Sequence, residues 1–491
     1  MIGKVFLLGA GPGDAGLLTI KGREILESAE VVVYDRLIGV DILALIPQNA
    51  EKINVGKNSG HHPIPQDQIN QILLEKALEG KRVVRLKGGD CFLFGRGGEE
   101  LELLYEHGIE FEVIPGIPSP IAATAYAGIP VTHRDFCASV HFITGHRKRD
   151  GKLEIDYKSL VDLKGTLVFL MSVASCGDIA KGLMDAGMPG DMDAAVIENG
   201  TRPEQRRFVT TLADIQNTVK RDNVVSPALI VVGKVCSLAE KFDWFDTLPL
   251  HRKKILITSP SGSASKLSSR LKKDGAAVPV LSSVKTEKLH FEIPDNSGYK
   301  AGVFTSAAGV RAFWQGLCDN GLDARWFGGM KIAAVGTECA KALESCGIKA
   351  DFIPSVFNGK VLANEMLETG VLSNGDKALL LRAEKASKAL PEILSENGVE
   401  VTEVPVYETV ALPMEGLAPA EYDWITFSSA SCVDNFVKCC EGGVAVDFSK
   451  IRALCIGPLT AKRAEDFGMQ VHISEKATLD SMADYLLEVN E

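Results

Sequence analysis

Short apolar runs alternate along the whole chain with stretches whose apolar residues recur every three or four positions. Residues 4–8 read as a strand. Leu17, Ile20, Ile25 and Ala29 predict a helix over residues 17–29. Val31–Tyr34 is again a strand, and Ile69, Ile72, Leu73 and Leu78 mark one face of a helix over Gln66–Leu78. Residues 82–86 return to the strand pattern. Strand and helix alternating in this way predict an α/β architecture from end to end.

The pattern breaks most clearly at residues 244–254, WFDTLPLHRKK, where a proline stands among charged residues and a new strand follows from Ile255. A domain boundary is expected there. Beyond it the chain repeats itself. Residues 303–313, VFTSAAGVRAF, match residues 426–436, TFSSASCVDNF, at an offset of 428 − 305 = 123. Val335-Gly336 matches Ile456-Gly457 at 457 − 336 = 121, and Gly275 matches Gly398 at 123 again. The repeated unit is far longer than a solenoid repeat. Two similar α/β lobes are therefore expected after residue 252, and the first half shows no such repeat.

Composition narrows the function classes. The chain has 491 residues, a 46% hydrophobic content and a net charge of −11. It carries −6 over residues 1–250 and −5 over residues 251–491, so neither end is a charged tail. This disfavours a general nucleic-acid binder. No apolar run reaches the ~18 residues of a membrane span, and no signal peptide is expected. The 11 cysteines are scattered without a Cys-x-x-Cys pair. Free thiols in a reducing cytoplasm, with no metal site, are the expectation.

Two glycine-rich segments carry candidate chemistry. Gly9-Ala-Gly-Pro-Gly-Asp14 lies between a strand and a helix, but Asp14 occupies the third glycine position of a dinucleotide fingerprint. Pro12 also lacks the N–H that a phosphate cradle uses. A tight turn and a ligand-approach loop both fit. Residues 86–100, LKGGDCFLFGRGGEE, set five glycines around Asp90, Arg96 and Glu99. That suits a polar ligand held by backbone groups, with Arg96 as a carboxylate clamp.

Residues 113–135, VIPGIPSPIAATAYAGIPVTHRD, complete a series. With Tyr34-Asp-Arg-Leu37, Val55-Gly-Lys57, Lys87–Glu100, Thr144-Gly-His146, Thr166–Met171 and Glu198-Asn-Gly-Thr201, they closely resemble the tetrapyrrole methylases, specifically the uroporphyrinogen-III C-methyltransferases. The resemblance covers residues 1–245. It implies two α/β subdomains and transfer of methyl groups from S-adenosylmethionine to C2 and C7 of uroporphyrinogen III, giving precorrin-2. By position, it implies a methyl-donor site of Pro12, Gly88, Gly89, Asp90, Leu93, Pro118, Ser119, Met171 and Gly200. Asp35 and Lys57 match the family's proposed proton acceptor and donor. Arg96, Glu99, His146 and Met171 match positions at the substrate or the chemistry. The chemistry itself needs a base, which Asp35 or Glu99 could supply. Cys91 stands where the family usually has proline, Pro118-Ser119-Pro120 replaces a run of small residues, and Leu170, Ser172 and Ala174 depart around Met171.

Read from its residues, the repeated half could be a binding module. Thr305-Ser306, Leu380-Leu-Arg-Ala-Glu384, Pro405-Val-Tyr-Glu-Thr409, Phe427-Ser-Ser429 and Ile456-Gly-Pro-Leu-Thr460 resemble the uroporphyrinogen-III synthases over residues 252–491. That implies cofactor-free cyclisation of hydroxymethylbilane with inversion of ring D. It also implies two α/β lobes, residues 252–283 with 409–491 and residues 287–405. Tyr407 matches a tyrosine proposed to assist loss of the hydroxyl. Ser306, Ser429 and Thr460 are expected at strand-to-helix turns, where hydroxyls and helix amides can receive substrate carboxylates; N-capping explains Ser306 and Ser429 equally well. The combined expectation is a bifunctional, cytoplasmic tetrapyrrole-biosynthesis enzyme with no nucleic-acid or membrane partner. The family's dimers imply a homodimer through residues 1–245. The alternative is a methyltransferase fused to a non-catalytic tetrapyrrole-binding module.

Overall fold

The computed structural model describes the chain except Met1, Gln48, Glu491 and residues 57–63, 146–153, 260–263, 283, 412–417 and 441–445. The described residues form four five-stranded sheets. Their contacts divide the chain into two compact units. One contains Met1–Ile255, Ser269–Val278 and Ala483–Glu491, and the other contains Leu256–Ser268 and Pro279–Met482.

The first sheet has Glu51–Asn54, Val31–Tyr34, Arg82–Lys87, Lys4–Gly9 and Glu110–Ile114 in that spatial order, all parallel. Lys4–Gly9 and Val31–Tyr34 are apolar and buried on both faces, as strands covered on both sides require, whereas the edge strand Glu51–Asn54 is largely exposed. Val5 and Leu7 pack with Ile69, Leu73 and Leu104, whereas Phe6 and Leu8 pack with Ile25 and Leu26. The period-2 alternation of the strand thus divides it between two helical layers. The helix over Gln66–Leu78 has the expected bounds.

The helix expected from residue 17 instead runs Ile20–Glu27. Two side chains set this. Asp14 caps a separate short turn, Ala15–Leu17, and Thr19 Oγ1 accepts from Gly22 N at 3.1 Å. Thr19→Ala is expected to lower stability by about 1 kcal/mol, read as a fall in denaturation midpoint.

The second sheet orders Val140–Thr144, Thr166–Leu170, Ala228–Val232, Asp193–Glu198 and Arg206–Thr211. Its first pair is parallel and the rest are antiparallel.

The third sheet orders Val280–Ser282, Ile255–Ser259, Trp424–Phe427, Arg452–Cys455 and Gln470–Ile473. The fourth orders Val284–Lys288, Glu400–Ala411, Lys377–Ala383, Ala301–Phe304 and Lys331–Ala334. The chain leaves the third sheet after Ser282, builds the fourth, and returns for three more strands. The sequence repeat maps one sheet onto the other. Ala301–Phe304 with its helix Ala307–Asp319 corresponds to Trp424–Phe427 with Ala430–Cys440. Gly275 and Gly398, at φ of 99° and 77°, follow the helices Ala264–Lys273 and Ala389–Glu396. Four equivalent strands keep one spatial order in both sheets, but the chain visits them in a permuted order.

Candidate active sites

In the first unit, the predicted donor and catalytic positions of the first sheet gather beyond the carboxyl ends of its strands. Open parallel sheets take ligands there, because the loops and the amino ends of the following helices open at that edge. The loops after Gly9 and Lys87 are joined directly. Gly11 N–H donates to Gly89 O at 3.1 Å, and Gly89 N–H donates to Gly11 O at 2.7 Å. Gly89 has φ +70°, and a Cβ on Gly116 would lie 2.2 Å from its carbonyl oxygen. Three chain segments therefore meet at backbone distance, which only small residues allow.

Asp90 locks this loop. Its Oδ1 accepts from the amides of Phe92 at 2.8 Å and Leu93 at 3.1 Å, and its Oδ2 accepts from Gly116 at 3.2 Å. Asp90→Ala removes a charged acceptor from three amides. It is expected to cost about 1.5–3 kcal/mol and to raise the donor KM. Denaturation and steady-state kinetics check this. Cys91 lies buried below, where desolvation pushes its thiol up to about 12. It is a neutral packing group at pH 7.

Pro118 and Ser119 begin the helix Ser119–Tyr126, with Ser119 N 3.7 Å from where a Gly89 Cβ would stand. Gly200 presses on the same helix, since a Cβ there would lie 2.2 Å from Ala123 Cβ. Gly200→Ala is expected to destabilise by about 1–3 kcal/mol through overpacking. Next to Gly200, Thr201 Oγ1 accepts from Asp14 N at 3.3 Å. Asp14 Oδ2 accepts from Tyr126 OH at 2.7 Å, and burial together with that carboxylate holds the phenol protonated. Leu37 faces Gly88, and its carbonyl accepts from Arg202 Nη2 at 2.7 Å. Met171 sits on the other sheet, just past Thr166–Leu170, half-exposed and at φ 54°. Of eight described non-glycine residues with positive φ, five lie in these loops: Phe94, Arg96, Met171, Asn199 and Thr201. Such strain collects where a ligand, not chain stability, dictates backbone shape.

Asp35 follows the strand Val31–Tyr34 and ends a buried chain of charges. Arg85 Nη2 donates to Asp35 Oδ1 at 3.0 Å and Oδ2 at 3.1 Å. Arg85 is 2% exposed, and its Nε donates to Glu100 Oε1 at 3.1 Å. Glu100 is fully buried, and the same oxygen accepts from Lys87 Nζ at 2.8 Å and Gln66 Nε2 at 3.1 Å. Arg85 Nη1 donates to the carbonyls of Leu86 and Val33. The guanidinium is thereby fixed, and Asp35, still 30% exposed, is held at the sheet edge. Glu99 takes no part. It pairs with Arg96 through Nε–Oε1 at 2.9 Å and Nη2–Oε2 at 2.5 Å on the exposed start of the helix Gly97–Glu106. Arg96 holds its carboxyl below the usual range. Lys57 and His146 lie outside the described residues.

In the second unit, Ser306 and Tyr407 come together across 101 residues, with Oγ and OH 2.9 Å apart. Ser306 also caps the helix Ala307–Asp319 by accepting from Gly309 N at 3.0 Å. Ser429 occupies the equivalent turn of the third sheet and accepts from Cys432 N at 3.3 Å. Thr460 lies in the first turn of the helix Pro458–Glu465, which directly follows the strand Arg452–Cys455, and is 5% exposed.

A family model described as tetrapyrrole (corrin/porphyrin) methylases matches residues 4–216, and one described as uroporphyrinogen-III synthase HemD matches residues 265–484. A porphyrin biosynthesis protein HemD of Ruminiclostridium josui is 45% identical over 99% of this chain and 98% of its own. The chain belongs to this family of tetrapyrrole methylases fused to uroporphyrinogen-III synthases. It is a bifunctional enzyme of tetrapyrrole biosynthesis, a uroporphyrinogen-III C-methyltransferase joined to a uroporphyrinogen-III synthase. A siroheme synthase of Yersinia pestis is 52% identical over 50% of this chain and 51% of its own, so the fused enzyme spans about half the length of that relative. A uroporphyrin-III C-methyltransferase of Thermus thermophilus, solved with S-adenosyl homocysteine, is 37% identical, covering 48% of this chain and 93% of its own at a TM-score of 0.41.

The fused enzyme carries buried charged groups that apolar periodicity passes over. Arg85, Lys87 and Glu100 are the main ones. The local part of their signal is that Arg85 and Lys87 stand two residues apart, on one face of the strand RVVRLK. Charges on one face of a buried parallel strand demand buried partners.

Proposed function

We propose that residues 1–245 methylate uroporphyrinogen III at C2 and C7 from S-adenosylmethionine, yielding precorrin-2. We further propose that residues 252–491 make that substrate from hydroxymethylbilane, through lobes of residues 252–283 with 409–491 and residues 287–405. The arrangement that carries the methyltransferase reading is Asp35, pinned by buried Arg85 at the edge where the Gly9 and Lys87 loops meet.

The donor residues fit S-adenosylmethionine. Gly88–Asp90 present backbone rather than bulk, the helix Ser119–Tyr126 points its amino end toward Gly89, and Phe94 and Met171 offer exposed apolar surface. S-adenosylmethionine supplies an activated sulfonium methyl, so the protein contributes mainly by positioning. Asp35 accepts the proton that the methylated pyrrole must lose. Its carboxylate is pre-set by a guanidinium that cannot move, whereas Glu99 is engaged in an exposed pair with Arg96. Arg96 in turn can exchange Glu99 for a substrate carboxylate. In the synthase half, the Tyr407 phenol donates to the departing hydroxyl, and Ser306 orients it.

The fused enzyme is proposed to act in the cytoplasm as a homodimer through residues 1–245. None of the 11 cysteines is in a disulfide, in keeping with a reducing compartment. No helix of the described residues is long and apolar enough to cross a membrane.

Anaerobic incubation with uroporphyrinogen III and S-adenosylmethionine is expected to add two methyl groups, seen by mass. Asp35→Asn is expected to slow this about 10²–10⁴-fold, the usual contribution of a positioned base. A wild-type-like rate in D35N, with loss in E99Q, would reverse the assignment.

A further inference from the structure

The seam that follows the methyltransferase, residues 244–254, packs against the structure behind the methyl-donor site. The helix Ser119–Tyr126 starts at the donor positions Pro118 and Ser119. The carbonyls at its other end lack donors within the helix and need outside partners. Trp244 Nε1 donates to Ala125 O at 3.0 Å, Gln205 Nε2 donates to Tyr126 O at 3.1 Å, and Arg207 Nη1 donates to Ala127 O at 2.9 Å. The rings of Trp244 and Phe245 each stand 4.8 Å from the Tyr126 ring, centroid to centroid. They hold the ring whose hydroxyl reaches Asp14 in the Gly9–Asp14 loop.

Gln205 joins these parts. It is fully buried, and both polar atoms of its side chain are engaged. Its Oε1 accepts from Thr201 N at 2.9 Å, and Thr201 follows Gly200 with φ at 68°. Its Nε2 donates to Asp246 Oδ1 at 3.3 Å as well as to Tyr126 O. Arg252 closes the seam over the same loop, donating from N to Pro203 O and from Nε to Gln205 O, both at 3.2 Å. Asp246 is held in turn, 3.7 Å from Arg207 Nη2 and 3.4 Å from His251 Nε2. A buried amide so partnered cannot turn without stranding a polar group. Left-handed backbone at a β-branched residue persists only where its surroundings impose it, and the Gln205 tether on Thr201 N–H does so here.

We propose that Gln205, braced by Asp246, is a positioning residue of the methyltransferase: it holds Gly200 and Thr201 in the shape that S-adenosylmethionine meets, and the seam beyond residue 245 is part of that support. The proposal rests on the donor-site reading given above. Gln205 acts through Thr201 and through the helix Ser119–Tyr126, so its loss falls on the methyl donor. Asp35 is pinned separately by Arg85, which spares the binding of uroporphyrinogen III.

The test uses the full-length enzyme, with S-adenosyl homocysteine as the binding probe and steady-state methylation of uroporphyrinogen III as the assay. Wild type, Gln205→Ala, Asp246→Ala and Asp246→Asn are compared by probe Kd, by KM for each substrate and by unfolding midpoint. Q205A is expected to raise the probe Kd and the S-adenosylmethionine KM about 10-fold, the worth of a buried hydrogen bond, while the uroporphyrinogen III KM stays within about twofold. D246A, which frees only one end of the amide, should raise the donor KM about threefold. D246N keeps an oxygen acceptor for Gln205 and should recover part of that loss. A lowered unfolding midpoint with both KM values unchanged, or with both raised alike, overturns the proposal and leaves Gln205 a stabilising residue only. If Q205A does not fold, D246A and D246N carry the same decision through the same two KM values. Wild type that does not bind S-adenosyl homocysteine instead fails the donor-site reading itself.

Discussion

Arg85→Met is expected to abolish methyl transfer and to destabilise the first unit by about 3–5 kcal/mol, the cost of stripping one partner from a buried ion network. Two carboxylates depend on this guanidinium. Glu100 is fully buried and would keep only Lys87 and Gln66, while its Oε2 already has no hydrogen-bond partner among the described residues. Asp35 would lose the one side chain that fixes both its oxygens. Arg85→Lys separates the two effects. An ammonium restores charge near Glu100, but it cannot reach Glu100 and Asp35 together as the planar fork does. R85K is therefore expected to regain more stability than activity. Denaturation midpoints and methylation rates for the pair check this. An R85M enzyme that melts with wild type would show that the network does not hold the site.

The same network shows what could and could not be read from residues in order. Apolar periodicity located Gln66–Leu78 and Val31–Tyr34, because burying those faces is what forms the elements. It misplaced the start of Ile20–Glu27, where two capping side chains overrule a continuous apolar stripe. Motif resemblance brought out Asp35, Gly88, Gly89 and Asp90, which cluster at one sheet edge. It did not bring out Arg85, since a charge inside an apolar strand only makes sense once Glu100 arrives from 15 residues away. In the second half, offsets of 123 and 121 point to a repeated unit, and the structure has two related sheets there. The permuted path through equivalent strands was invisible, because it depends on which strands pair. Motif resemblance marks Ser306 and Tyr407 separately, but their 2.9 Å contact crosses the fourth sheet and has no local signature.

Tyr407→Phe is expected to slow formation of the type III isomer about 10²–10⁴-fold, as for loss of a positioned proton donor. Stability should change by no more than about 1.5 kcal/mol. The ring still packs against the cluster around Phe304 and Phe313, and Ser306 keeps its hydrogen bond from Gly309. Methylation of supplied uroporphyrinogen III should proceed at the wild-type rate, since Tyr407 lies in the second unit. A cyclisation rate within threefold of wild type would reduce Tyr407 to a packing residue.

Both activities meet in one experiment on the intact chain. Hydroxymethylbilane is added anaerobically, with and without S-adenosylmethionine, and the products are separated by isomer and mass. Without the methyl donor, uroporphyrinogen III should accumulate faster than spontaneous ring closure, and with it precorrin-2 should form. Type I isomer alone, with no methylated product, would contradict the account.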